Sequence, residues 1–99
     1  MHTRLKLQRS GQFRLEGVLT SDTAMALLLD SANLFDRHAK TIVDLSGVTQ
    51  TNSGGLALLL EWDRLAHLEG GSVRYRKAPE KLLALAFLSS LEQILVFTK

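Results

Sequence analysis

The sequence predicts an α/β domain, a single mixed sheet with its helices packed on one face. Three observations predict it. Segments with the two-residue period of strands alternate with segments of the helical period, in the order β-β-α-β-α-β-α. A strand, a helix and a second strand in succession imply a right-handed crossover between parallel neighbours. The strands also carry charge at alternate positions, which leaves one sheet face partly to solvent. The 99 residues suffice for one domain, 1–99, with no repeat, linker or low-complexity segment.

Each element follows from its own residues. Between Thr3 and Gln8, Leu5 and Leu7 alternate with Arg4 and Lys6, the pattern of a half-buried strand. Arg9-Ser10-Gly11-Gln12 is a turn in which Gly11 supplies positive φ. Phe13, Leu15 and Gly17 continue a second strand on the same face, with Arg14 and Glu16 pointing outward. Thr20-Ser21-Asp22 offers capping oxygens for a helix over Asp22–His38. Its apolar stripe runs through Ala24, Leu27, Leu28, Ser31, Leu34, Phe35 and His38, widened by Met25 and Leu29. Thr41 to Leu45, rich in β-branched residues, reads as the central strand. A polar loop then leads to a helix over Ser53–Glu69, which Gly70-Gly71 ends with a left-handed cap. Ser72 to Lys77 is a further strand. Pro79 opens a helix from Glu80 to Leu88. A short helical piece and an edge strand at Leu95-Val96-Phe97 finish the chain.

Composition narrows the function. There is no cysteine, so thiol chemistry, disulfides and thiolate metal sites are excluded. Histidines 2, 38 and 67 share no ligand-like spacing. The sequence contains neither GxxxxGK[ST] nor GxGxxG, and Ser53 lacks the G-x-S-x-G frame of a hydrolase nucleophile. No enzyme activity, cofactor or metal is expected. No apolar run approaches the ~20 residues that span a bilayer. The N-terminus lacks the apolar core of a signal peptide, which predicts a cytosolic protein without membrane insertion. The formal net charge is +2. Basic residues gather mildly at Arg4, Lys6, Arg9 and Arg14, and again at Arg74, Arg76, Lys77 and Lys81. Neither group has the density or interleaved aromatics of a nucleic-acid site, so no nucleic-acid partner is expected.

The functional signal lies in Thr41 to Trp62, TIVDLSGVTQTNSGGLALLLEW. Ser53 stands at a helix N-terminus before Gly54 and Gly55. Its hydroxyl can cap the helix, accept a phosphate in the field of the helix dipole, or meet a partner protein. The glycines lower the local surface so that another backbone can approach. Thr49, Thr51 and Asn52 surround the hydroxyl with small polar groups. Leu56 begins an apolar run, so that loop and run resemble the rim and core of an interface. Leu56, Leu58, Leu59, Leu60 and Trp62 cover more than one helical face, and a neighbouring helix or a partner must bury the excess. Asp44 at the strand end can accept N–H bonds from the loop and fix its shape, or assist chemistry at Ser53.

The strand-loop-helix segment closely resembles the core of STAS domains, found in sulfate transporters and anti-sigma-factor antagonists. Asp44-Leu45-Ser46 with Val48 matches the first half of the family pattern, and Ser53-Gly54-Gly55 its turn. The resemblance implies a STAS-like sheet with helices on one face over nearly the whole chain. In the sigma-regulating members a cognate kinase phosphorylates the serine that aligns with Ser53, and an acidic residue stands where this chain has Thr51. Ser53-Gly54-Gly55-Leu56-Ala57-Leu58-Leu59-Leu60 is more similar to the small cytoplasmic subunit of a phospholipid ABC transporter. There a threonine aligns with Ser53 where the ATPase subunit docks, and an aspartate aligns with Asn52. The resemblance therefore implies a partner-binding site at Thr49, Thr51, Asn52, Ser53, Gly54, Gly55 and Leu56. It implies an ABC transporter ATPase as partner and, through it, a permease complex at the inner membrane. The alternative it leaves is an anti-sigma-factor antagonist switched by phosphorylation at Ser53.

Overall fold

The computed structural model describes residues 3–99; His2 lies outside the described residues. Strand β1 (Arg4–Arg9) turns through Gly11, at φ +74°, into β2 (Gln12–Leu19), and the two pair antiparallel. Helix α1 (Ala24–Leu34) leads to β3 (Lys40–Thr51), and α2 (Ser53–Leu68) leads to β4 (Ser72–Arg76). Helix α3 (Glu80–Leu88), a 3₁₀ turn (Leu91–Gln93) and the edge strand β5 (Val96–Thr98) complete the chain.

The five strands lie in sequence order, and all neighbours after the first pair are parallel. A chain that steps repeatedly in one direction, through crossovers of one hand, lays every helix on the same side. Burial shows that side. Phe13, Leu15 and Leu19 of β2, Val43 and Leu45 of β3, and Val73 and Tyr75 of β4 form the core with the helices. Between them Arg14, Glu16, Ile42, Asp44, Arg74 and Arg76 remain partly or fully open to solvent. The mixed α/β class with helices on one face is therefore as the alternation predicts.

Helix α2 is the centre of the helical layer. It meets β2, β3 and β4 below and α1 and α3 on either side. Leu56, Leu58, Leu59 and Trp62 are all buried. Leu60 is partly buried against the same core, so most of the apolar excess of this helix is covered by its own neighbours. Trp62 donates its indole N–H to Ser31 Oγ at 2.8 Å, and Ser31 donates to the Leu28 carbonyl at 2.7 Å. Tyr75 donates to the Leu59 carbonyl at 2.8 Å, tying β4 to α2. Burial pushes the Tyr75 phenol well above its usual pKa, so it stays a donor. At the C-terminus of α2, Gly71 N–H bonds the Ala66 carbonyl and Gly70 N–H the His67 carbonyl. With Gly70 at φ +84°, this is a Schellman cap.

Two expected boundaries are corrected. Helix α1 spans Ala24–Leu34 and not Asp22–His38, with Thr23 at its N-cap and no side-chain cap from Thr20, Ser21 or Asp22. Phe35 turns extended and places its ring between Phe13 and Trp62, at centroid distances of 4.8 and 5.2 Å. Aromatic packing there outweighs one more helical turn. The second correction is at β3, which continues through the expected loop to Thr51. It pairs with β2 across two register shifts, one between Asp44 and Gly47 and one between Val48 and Gln50. Each inserts one residue on β3, the signature of a bulge. Gly17, at φ +101°, sits opposite the second.

Candidate functional site

The strand β3 delivers the chain to the tip of α2, at the carboxyl end of the parallel strands. Open α/β sheets form their ligand and partner crevices at this end. The N-cap of α2 is Asn52, not Ser53. Asn52 Oδ1 accepts the N–H groups of Gly54 at 2.8 Å and Gly55 at 3.2 Å, and also that of Ser21 at 3.2 Å. A side-chain amide oxygen one residue earlier reaches the first-turn donors that Ser53, already helical, cannot. Ser53 stands exposed as the first helical residue, and its hydroxyl bonds no other described group.

The two glycines serve an internal contact. A Cβ on Gly55 would lie 2.1 Å from the Leu19 carbonyl oxygen, and one on Gly54 would lie 2.5 Å from Ser21 Cβ. The backbone that approaches α2 here is the end of β2 and the start of the β2–α1 loop. This differs from the expected role of making room for a partner.

The residues expected at the interface divide by burial. Thr49, Asn52, Ser53 and Gly54 keep accessible surface. Gly55, Thr51 and Leu56 are buried, so they shape the tip from beneath. The Thr51 hydroxyl is buried without a hydrogen-bond partner. A groove of about 460 Å³ opens beside it, with Thr49, Thr51 and Asn52 on one wall and Pro79 and Lys81 on the other.

Asp44 lies elsewhere. Its Oδ1 accepts the Ser46 N–H at 2.7 Å and so closes the first bulge of β3. Partial burial pulls its pKa up, but the Ser46 hydrogen bonds and the charges of Arg14 and Lys77 more than offset this and hold it below the usual value. Six strand residues separate Asp44 from Thr51, roughly 20 Å of extended chain. Asp44 supports the strand, and its described hydrogen bond is to Ser46 and not to the tip.

Sequence reasoning missed two neighbours of the tip. Ser21 stands exposed beside Gly54, and Asp22, next in the chain, is exposed as well. From there α1 begins, with Met25 66% and Leu29 63% exposed, one turn apart. Their spacing placed them at the margin of the core stripe, and only the docking of α1 shows that they point out. Among the described residues no group of three or more His, Asp or Glu side chains could hold a metal. No described helix is long and apolar enough to cross a membrane.

A sheet of this order, with its helices on one face and a serine at the tip of the central helix, defines a STAS domain. The comparisons give the same class and then a narrower one. The family model described as the MlaB STAS domain matches residues 3–96, and the chain belongs to that family. Among solved structures it is similar to the anti-sigma factor antagonist SpoIIAA in its unphosphorylated form. The TM-score is 0.61 at 11% identity, over 99% of this chain and 88% of the other. At that identity the likeness concerns the fold. No curated protein sequence matches the chain.

Proposed function

We propose that this chain is a non-enzymatic accessory subunit that binds and supports the ATPase of an ABC-type phospholipid transport complex. In this reading it works in the cytoplasm, held at the inner membrane through that ATPase and its permease, in maintaining outer-membrane lipid asymmetry. The family description supports the transport side of the reading. The observation that carries the contact site is the idle hydroxyl of Ser53. Asn52 does the capping, so the fold makes no use of an exposed serine at the tip of its central helix. On α1, which follows the loop bonded to the tip, exposed Met25 and Leu29 offer the apolar anchor that an interface core needs. Ser21, Asp22, Thr49 and Asn52 form the polar rim.

The second reading, an anti-sigma-factor antagonist switched at Ser53, is favoured by the exposure of that hydroxyl to a kinase. The tip is poorly suited to holding a phosphate. Its Gly54 and Gly55 N–H groups already bond Asn52 Oδ1, and Thr51 replaces the acidic residue of the phosphorylated relatives. The test is affinity purification of the tagged chain after co-expression with a candidate ABC ATPase and, separately, with a candidate serine kinase. The transport reading expects the ATPase to co-purify and Met25→Glu with Leu29→Glu to release it. Capture of the kinase alone, with phosphate on Ser53, would replace it with the regulatory reading.

A further inference from the structure

The two mild basic groups of the sequence become one surface in the fold. Strand pairing aligns Lys6, Arg14, Asp44, Arg76 and Thr98 in a single row across all five strands. The next row aligns Arg9, Gln12, Ile42, Arg74 and Val96. On the other side, Arg4 stands opposite Glu16. All lie on the helix-free face of the sheet. That face holds seven cations, Arg4, Lys6, Arg9, Arg14, Lys40, Arg74 and Arg76, against two carboxylates, Glu16 and Asp44. The whole chain has 12 Lys and Arg against 10 Asp and Glu. Outside this face the acidic residues therefore outnumber the basic ones, and the positive excess resides on the face.

The charges there are only partly paired. Glu16 sits among Arg4 at 3.5 Å, Lys6 at 3.7 Å and Arg14 at 3.2 Å, one carboxylate for three cations. Arg74 and Arg76 have no ion pair among the described residues, although Asp44 is the register partner of Arg76. Cations without partners on an exposed face attract an anionic surface.

We infer that the open face of the sheet is a docking surface for a bilayer rich in anionic phospholipid. The distribution of charge favours this occupant. The cations spread over four strands, about 14 Å, in several rows and do not converge on one point. A planar field of headgroup phosphates matches such an array, whereas a small anion needs convergent donors. A single nucleic-acid strand needs exposed aromatic rings for stacking, and none stands in these rows. A protein partner needs an apolar anchor, and Ile42 and Val96 are the only apolar residues in the rows described. Headgroup attraction needs neither, and it requires no inserted segment. The face points away from the helices, and the tip of α2 lies at the sheet's carboxyl edge, so both surfaces can be engaged together. The inference does not rest on the ATPase reading, because vesicles without protein test it.

The experiment is vesicle flotation of the purified chain at low ionic strength. One set of vesicles is phosphatidylcholine alone; in the other about a third of the lipid is phosphatidylglycerol. Binding is expected only to the second set and is expected to disappear in high salt. Each basic residue near the surface strengthens binding by about fivefold, so Arg74→Gln with Arg76→Gln should weaken it by about 25-fold. The charge-reversed pair Arg74→Glu with Arg76→Glu should abolish it. Arg37→Glu with Arg64→Glu, on cations outside this face, changes total charge by the same amount as that reversal and should leave binding within about twofold, circular dichroism confirming the fold of each variant. Absence of binding to the anionic vesicles overturns the inference. So does equal loss in both glutamate pairs, which would reduce the effect to net charge. Tighter binding of a DNA duplex than of the anionic vesicles at the same salt, lost with Arg74 and Arg76, would reassign the face to nucleic acid.

Discussion

Asn52 Oδ1 accepts the backbone N–H of Ser21 at 3.2 Å. One side chain thereby ties the β2–α1 loop to the tip of α2 while capping that helix through Gly54 and Gly55. The bond joins the tip that carries Ser53 to the loop that leads into α1.

Replacing Asn52 should test this joint. Asn52→Ala removes the acceptor of three N–H groups. The cap alone is worth ~0.5–2 kcal/mol, and loss of the Ser21 bond should put the variant at the upper end. Asn52→Asp keeps the acceptor and adds a negative charge at a helix N-terminus, so it should match or exceed wild-type stability. Urea unfolding of the three proteins checks the order. An alanine variant as stable as wild type would show that the joint contributes nothing.

Gly55 should be the least replaceable residue of the tip. A Cβ there would lie 2.1 Å from the Leu19 carbonyl oxygen, and neither backbone can retreat without opening the core. Gly55→Ala should cost about 3 kcal/mol or more, at the high end for overpacking. Gly54→Ala should cost less, because its clash is with Ser21 in an exposed loop that can shift. Thermal melts that rank the two variants the other way would contradict this packing.

The sequence made the framework legible because the framework is local. Alternation at β2 and β4, the Gly70-Gly71 cap and the Pro79 start each depend on neighbouring residues, and each appears where its residues place it. What escaped depends on distant ones. The polar run Ser46–Thr51 reads as loop until β2 offers it a parallel partner and bulges absorb its extra residues. The exit of Phe35 from α1 is decided by Phe13 and Trp62. At the tip, Ser53 and Asn52 are adjacent good capping residues, and only the helix phase selects Asn52. The exposed pair Met25 and Leu29 and the basic sheet face were invisible for the same reason. Arg14 and Arg76 are far apart in sequence and share a row only through β3.

Asp44 gives the chain an acid-sensitive element. Its folded-state pKa is below its unfolded value, so its contribution to stability is present above the unfolded value. That contribution is lost as pH falls through the lowered folded value. Asp44→Asn keeps a carbonyl acceptor for the Ser46 N–H but cannot titrate. Denaturant melts taken from neutral pH down through the carboxylate range should show a shallower acid loss for Asp44→Asn. Because the group is only partly buried and solvent screens it, the difference should stay under about 1 kcal/mol. Parallel curves for the two proteins would remove Asp44 from the acid response.

Ser53 separates fold from function most cleanly. Since Asn52 caps α2, Ser53→Ala should change stability by no more than about 0.5 kcal/mol, the range of an exposed surface substitution. Any larger effect on partner binding then belongs to the contact. Ser53→Glu is the harsher probe. A carboxylate in the first turn suits the helix dipole, so its melting temperature should stay near that of wild type. At an interface the same carboxylate must lose its water without a prepared partner, and binding to the ATPase should fall steeply. Titration calorimetry of both variants against the purified ATPase reads the difference. Wild-type affinity in both would leave the serine without a role in docking and would move the contact to the Met25 and Leu29 side of the tip.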